Sequence, residues 1–222
     1  MRIANPLTVL AFIALSATLS QTARANVLTQ TNSAATYLQQ GQANHDRGNF
    51  QQAITDFSEA IRLDPKNAQA FYSRGEARFD LSDLAGSLQD LDRALQLNPK
   101  FADALNQRAL VFAAQGQFPA ALKDLNQALE HKPTFADAYY NRGLVRVNLQ
   151  DFQGAVADYS QAIKINAELA EAYGNRGTIY AQLGNKPAAL TDLQTAAKLF
   201  NQKGDRQGYE QAQALIRQLQ SP

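Results

Sequence analysis

Pro65, Pro99 and Pro133 stand 34 residues apart, and the sequence around them repeats with the same period. A fourth mark falls at Ala167, where the proline is lost while the surrounding pattern continues. Self-similarity at this spacing specifies a stack of small supersecondary units and not one closed core. It moves the search for function from a catalytic pocket to an extended surface.

Five repeats follow, at 34–67, 68–101, 102–135, 136–169 and 170–203. In the fourth, one helical face runs through Tyr139, Gly143 and Arg146, and apolar or small residues recur at helical spacing through Phe152, Ala155, Tyr159 and Ala162. Gln150-Asp151 separates the two runs and gives the second helix an N-cap acceptor. Asn49, Asp83 and Asn185 hold the same place, with Gln117 a poorer cap, and Gly48, Gly116 and Gly184 precede it where the first helix must end. Each repeat therefore predicts a helix–turn–helix hairpin. Beyond Gly204-Asp205, the stretch 207–220 places Tyr209, Ala212, Ile216 and Leu219 on one helical face, as a capping helix would.

Small residues occupy repeat positions 8 (Gly41, Gly75, Ala109, Gly143, Gly177) and 27 (Ala60, Ala94, Ala128, Ala162, Ala196). Position 20 is also small, and position 4 is large (Tyr37, Phe71, Leu105, Tyr139, Tyr173). Small residues let antiparallel helices approach while large ones fill the adjoining holes. On these residues the chain resembles the tetratricopeptide repeat (TPR) family. The resemblance implies an all-α, right-handed superhelix of five hairpins with a C-terminal cap. Position 11 departs from the family pattern, reading Asn44, Arg78, Phe112, Arg146 and Tyr180. The fifth repeat also departs, with Lys186-Pro187 at a helix start and Asn201 in place of its closing proline.

Position 7 is arginine in four repeats (Arg74, Arg108, Arg142, Arg176), while position 23 is aspartate in all five (Asp56, Asp90, Asp124, Asp158, Asp192). Repeat one has Gln40 at position 7 and no repeat before it. The expectation is that each arginine bridges to the aspartate of the preceding repeat: Arg74–Asp56, Arg108–Asp90, Arg142–Asp124 and Arg176–Asp158. The alternative is an arginine row that grips an acidic ligand.

In TPR proteins the first helix of each repeat lines the concave groove. Carried over, position 6 gives a row of Gln39, Ser73, Gln107, Asn141 and Asn175. Amide side chains can bond both the N–H and the C=O of an extended peptide; as plain solvated surface the row needs no ligand. Positions 5, 9 and 12 should line the floor, with Tyr72, Phe79, Asn106, Leu110, Tyr140, Leu144 and Val147. Aromatic anchors are typical of binding surfaces, although Leu144 and Val147 also suit packing between neighbouring first helices. Asp103, Asp137 and Glu171 at position 2 form an acidic edge or, equally, stabilise helix dipoles. The chaperone-binding members of the family clamp a terminal carboxylate with lysine or arginine at groove positions that here carry neither. No such clamp is expected.

The first 25 residues stand outside the repeat. Arg2 gives a positive start, 7–19 is apolar, and Ala23-Arg24-Ala25 is a small-x-small cleavage pattern. A signal peptide cut after Ala25 is expected, with 26–33 a flexible leader and residues 204–222 a cap and tail; an uncleaved anchor is the other reading. Export to a periplasm, a thylakoid lumen or the extracellular space follows. Losing Arg2 and Arg24 takes the 21 basic residues to 19 against 20 acids, which provides no basic face for nucleic acid. No cysteine is present, so no disulfide, thiolate nucleophile or cysteine zinc site arises. The two histidines, His45 and His131, complete no catalytic or metal motif; His131 stands where other repeats have an aliphatic residue and is expected half-buried.

The sequence thus predicts a non-catalytic scaffold or adaptor without cofactor or metal. Its partner is a protein or peptide segment, with no nucleic acid and no membrane contact after cleavage. A self-associating architectural array, seen as a homo-oligomer, and a regulatory subunit of an envelope or lumenal enzyme complex are the alternatives.

Overall fold

The structure, a computed structural model, describes residues 33–221; the expected signal peptide and nearly all of the leader lie outside them. Among the described residues there are eleven α-helices and no strand. They are α1 (Ala34–Asp46), α2 (Phe50–Leu63), α3 (Ala68–Asp80), α4 (Leu84–Leu97), α5 (Ala102–Ala114) and α6 (Phe118–His131), followed by α7 (Ala136–Asn148), α8 (Phe152–Ile165), α9 (Ala170–Gln182), α10 (Lys186–Lys203) and α11 (Arg206–Gln220). Odd and even helices pair as five hairpins, and α11 packs on α10 as the cap. The chain divides into two compact halves, through Leu97 and from Asn98, with two and three repeats respectively.

The hairpin turns show how local sequence sets the element ends. The residue at position 15 takes positive φ in every repeat: 76°, 73° and 76° at Gly48, Gly116 and Gly184, and 62° at both Ser82 and Gln150. The left-handed conformation costs a side chain roughly 1 kcal/mol, so two repeats carry strain that three avoid. Asp83, Asp151 and Asn185 cap the helices that follow by accepting from Gly86, Gly154 and Ala188 N–H. Asn49 and Gln117 make no such bond. Pro187 sits in the first turn of α10, where its missing N–H costs nothing.

Inside each hairpin the small positions face rings or branched side chains. A Cβ on Gly143 would stand 2.6 Å from the Tyr159 ring, and one on Gly41 would stand 2.5 Å from Phe57. These glycines set how closely the two helices approach. In the C-terminal half Ala155, Tyr159, Ala172 and Ile179 form one core cluster, against which Leu144 and Val147 pack. A second cluster joins Leu193 and Ala197 to Ala212 and Ile216 of the cap, with Tyr209 and Leu219 alongside. The cap face read from the sequence is the one buried.

The arginine–aspartate rows pair differently from expectation. Every arginine at position 7 grips the aspartate of its own hairpin, 16 residues on, through two bonds. Arg74 Nε and Nη2 reach Asp90 at 2.9 and 2.7 Å, and Arg142 reaches Asp158 at 2.9 and 2.6 Å. Arg108–Asp124 and Arg176–Asp192 repeat the geometry at 2.6–2.9 Å. The hairpin puts positions 7 and 23 face to face on its two helices, so the nearer carboxylate wins. The preceding repeat is still engaged, through position 25. Arg74 Nη1 donates to Ser58 Oγ, Arg142 Nη1 to Asn126 Oδ1 and Arg176 Nη1 to Ser160 Oγ, at 2.8–3.0 Å.

Position 11 completes this network. Arg78 and Arg146 add a second guanidinium to Asp90 and Asp158, at 2.7 and 2.8 Å. In repeat one, which lacks the arginine of position 7, Asn44 and Gln52 donate to Asp56 instead. Phe112 and Tyr180 lie under the guanidinium groups of Arg108 and Arg176. Bonding to Asp192 holds the Arg176 pKa above its ordinary value, against the opposing effect of burial. The departures at position 11 are thus ways of satisfying or covering a buried ion pair. A signal was present in the sequence: glycine occupies position 19 only in repeats two and four (Gly86, Gly154), and there a Cβ would crowd the Arg78 or Arg146 side chain. With its arginines bound to buried carboxylates, the row is not free to grip an acidic ligand.

Candidate functional site

The residues expected to line the groove fall in both halves. In the N-terminal half Tyr72 and Phe79 of α3 are half-buried. The Tyr72 hydroxyl donates to Glu76 Oε1 at 3.1 Å, one turn along the helix. His45 of α1 bonds Asp80 of α3 through Nε2 at 2.8 Å and sets its ring edge-on to Phe50. It tethers two neighbouring first helices and completes no catalytic cluster.

In the C-terminal half the polar row is tied together. Asn106 and Gln107 are only 8% exposed. Buried amides need partners, and Asn106 Oδ1 accepts from Asn141 Nδ2 at 2.9 Å. One repeat further, Asn175 Nδ2 donates to the Tyr140 hydroxyl at 3.2 Å. The result is a ladder from position 6 of one repeat to position 5 of the repeat before. It fixes the first helices relative to each other and spends an N–H of Asn141 and of Asn175. Leu110 is half-buried, and Leu144 packs against the core cluster, as the packing alternative has it.

Tyr140 joins the ladder to an open space. Its ring lies 5.8 Å from that of Tyr159. A cleft of about 210 Å³ opens beside it, lined by Tyr140, Glu171, Gly174, Asn175, Thr178 and Gln211 among others. Position 5 is glycine in repeat five, which leaves room where the other repeats have leucine, tyrosine or asparagine. The cleft shares Thr178, Leu193 and Leu215 with a second space of about 330 Å³ between α9 and the cap helix. Burial pushes the Tyr140 pKa up, only partly offset by the bond from Asn175, so the hydroxyl keeps its proton at neutral pH and can donate it. Of the cleft's lining residues, the sequence points to Tyr140 and Asn175 for the groove and to Glu171 for an acidic edge. Gly174 and Thr178 stand at floor positions 5 and 9 of repeat five but are too small to stand out there, and the cap residue Gln211 lies outside the repeat, where no periodic signal marks it.

His131, expected half-buried, is exposed at the last turn of α6. The same position is exposed in repeats one and four (Leu63 and Ile165 are each 39% exposed) and half-buried in repeats two and five. Among the described residues no group of three or more histidine, aspartate or glutamate side chains is arranged to hold a metal ion, and no helix is long and apolar enough to cross a membrane.

Comparison with known proteins agrees with the geometry. The TPR repeat family matches residues 41–82, 75–116, 109–150 and 145–184, and a tetratricopeptide repeat matches 170–203. The chain belongs to the tetratricopeptide repeat family, and no enzymatic family is indicated. None of the curated proteins matches it. Among solved structures, a thermophilic TPR protein from Thermus thermophilus is 21% identical with a TM-score of 0.70, covering 82% of this chain and 99% of its own. MamA from Desulfovibrio magneticus RS-1 is 21% identical with a TM-score of 0.66, covering 76% and 96%. YrrB, described as a TPR protein with an unusual peptide-binding site, is 19% identical with a TM-score of 0.62, covering 86% and 97%. At these identities the likeness establishes the TPR solenoid fold, a scaffold of the kind suited to protein–protein interaction.

Proposed function

We propose that this protein is a non-catalytic scaffold that binds a segment of another protein along the first helices of its repeats, with Tyr140 as principal anchor. The carrying observation is the cleft beside Tyr140, where a half-buried aromatic ring, its hydroxyl and the Asn175 amide that bonds it border unfilled space. Tyrosine suits such a site because its ring is apolar and its hydroxyl tolerates water. The peptide-binding site ascribed to YrrB supports the reading by analogy of fold.

The test is affinity capture from the native envelope fraction, followed by binding of the identified partner to purified variants. Tyr140→Ala is expected to weaken partner binding by at least about tenfold, with helix content by circular dichroism unchanged. Binding retained by both Tyr140→Ala and Tyr72→Ala, with their folds intact, would place the interface elsewhere.

The protein acts outside the cytoplasm on this reading, which rests on the Arg2 start, the apolar 7–19 run and Ala23-Arg24-Ala25. N-terminal sequencing of the protein isolated from its own host should begin at Asn26. A chain that begins at Met1 would remove the support for cleavage.

A further inference from the structure

The chemistry around the Tyr140 cleft is one-sided. Positions 2, 5, 6, 9 and 12 of repeats three to five include Asp103, Asp137 and Glu171 and no lysine or arginine. Asp103 is already neutralised by Lys132 at 3.1 Å. Among the described residues Asp137 and Glu171 meet no cation, both are exposed, and Glu171 borders the cleft. The amides lean the same way. Asn141 and Asn175 spend an N–H on the ladder, while their Oδ1 atoms take no bond among the described residues. The carboxylates and the amide oxygens are separate observations, and both favour a partner rich in donors and positive charge.

The acids have an architectural reason to exist as well. The N-cap residues of α5, α7 and α9 are Phe101, Phe135 and Leu169, none of which makes a side-chain cap. By contrast, α1 and α3 are capped by Ser33 and Asn67 and carry Ala35 and Gln69 where the acids stand. An acid in the first turn compensates for a missing cap. Its field reaches the cleft whatever selected it, and with a whole-chain charge of only +1 no large net charge overrides it.

We infer that the groove of the C-terminal half selects an extended peptide segment carrying lysine or arginine between apolar residues. The apolar residues enter the cleft beside Tyr140, and the cations meet Asp137, Glu171 and the free amide oxygens. The inference rests on the groove reading above and gives the partner its charge.

Three fluorescent peptides of equal length settle it, sharing the same alternating leucine and tyrosine residues with lysine, glutamine or glutamate between them. Their binding to the full chain is followed by anisotropy across salt concentrations. The lysine peptide should bind about tenfold more tightly than the glutamate peptide at low salt, and most of that margin should vanish near 1 M salt. Asp137→Asn with Glu171→Gln should weaken the lysine peptide about five- to tenfold. Glu130→Gln, on the exposed face of α6, should leave it unchanged. Thermal melts identify any variant whose loss is one of folding, and the lysine–glutamate comparison on the unmodified chain remains valid in that case. Equal binding of all three peptides, still lost in Tyr140→Ala, overturns the charge assignment and leaves the groove standing. Equal weakening by Glu130→Gln overturns it too, because the attraction would then be diffuse. If no peptide depends on Tyr140, the groove reading falls and takes this inference with it.

Discussion

Replacing Asp158 with alanine should lower the stability of the C-terminal half by about 3 kcal/mol. The carboxylate is 2% exposed and accepts three hydrogen bonds, two from Arg142 and one from Arg146. Those side chains are themselves only 17% and 24% exposed, so solvent replaces the lost partner incompletely. Removing one member of a buried pair costs several kcal/mol because the remaining charge stays desolvated. The partial exposure of the arginines puts the estimate at the low end of that range. Asp124 faces one guanidinium where Asp158 faces two, so Asp124→Ala should cost less. Urea titration followed by circular dichroism measures both, a suitable probe since the chain has no tryptophan. A loss below about 1 kcal/mol for Asp158→Ala would reduce the network to surface ion pairs.

At Tyr159 two substitutions should move stability in opposite directions. The side chain is 0% exposed, and among the described residues its hydroxyl makes no hydrogen bond of sound geometry, although the Asn175 amide lies near enough to offset part of its pKa rise. Burial drives its pKa well above the ordinary phenol range, so the group stays neutral and yet unsatisfied. Tyr159→Phe keeps the ring against Gly143 and Tyr140 and removes the orphan oxygen; a gain of about 1 kcal/mol is expected. Phe57 already fills the equivalent place in repeat one, against Gly41. Tyr159→Ala leaves a cavity at the centre of the hairpin, with an expected loss of about 3–5 kcal/mol. Thermal and urea unfolding of the two variants gives both signs. A phenylalanine variant less stable than the parent would show that the hydroxyl has a partner in solution. Ser87 shows the same defect on a smaller scale, a buried hydroxyl without a partner among the described residues where the other repeats have alanine.

The scaffold was largely legible in the sequence because its determinants are periodic. Small residues at fixed positions, prolines 34 apart and acceptors at helix starts each repeat often enough to separate from chance. Pairing was not legible. Positions 7 and 23 recur in step, so each arginine is 16 residues before one aspartate and 18 after another, and spacing alone does not choose between them. The hairpin does, by setting the two positions face to face. The site was legible only in part for a related reason. Asn106 and Gln107 look like groove amides among the polar residues of the first helices, but both are buried, and Asn106 is a rung of the ladder. The room beside Tyr140 comes from Gly174, a small residue at a position where the other repeats carry larger ones, and is bordered by Gln211 of a helix outside the repeat, which has no counterpart to mark it.

The arginines that clasp their own hairpin while touching position 25 of the one before bear on how such an array can grow. Repeat four carries both halves of the joint, Arg142 facing backward and Ser160 facing forward. A tandem copy of residues 136–169 would find Ser160 where Arg142 now finds Asn126, and serine already serves that role for Arg176. Repeat one has no backward half and fits only at the start. The joint is therefore a portable connector with a direction, and the array can lengthen from within by duplication while its first member stays in place.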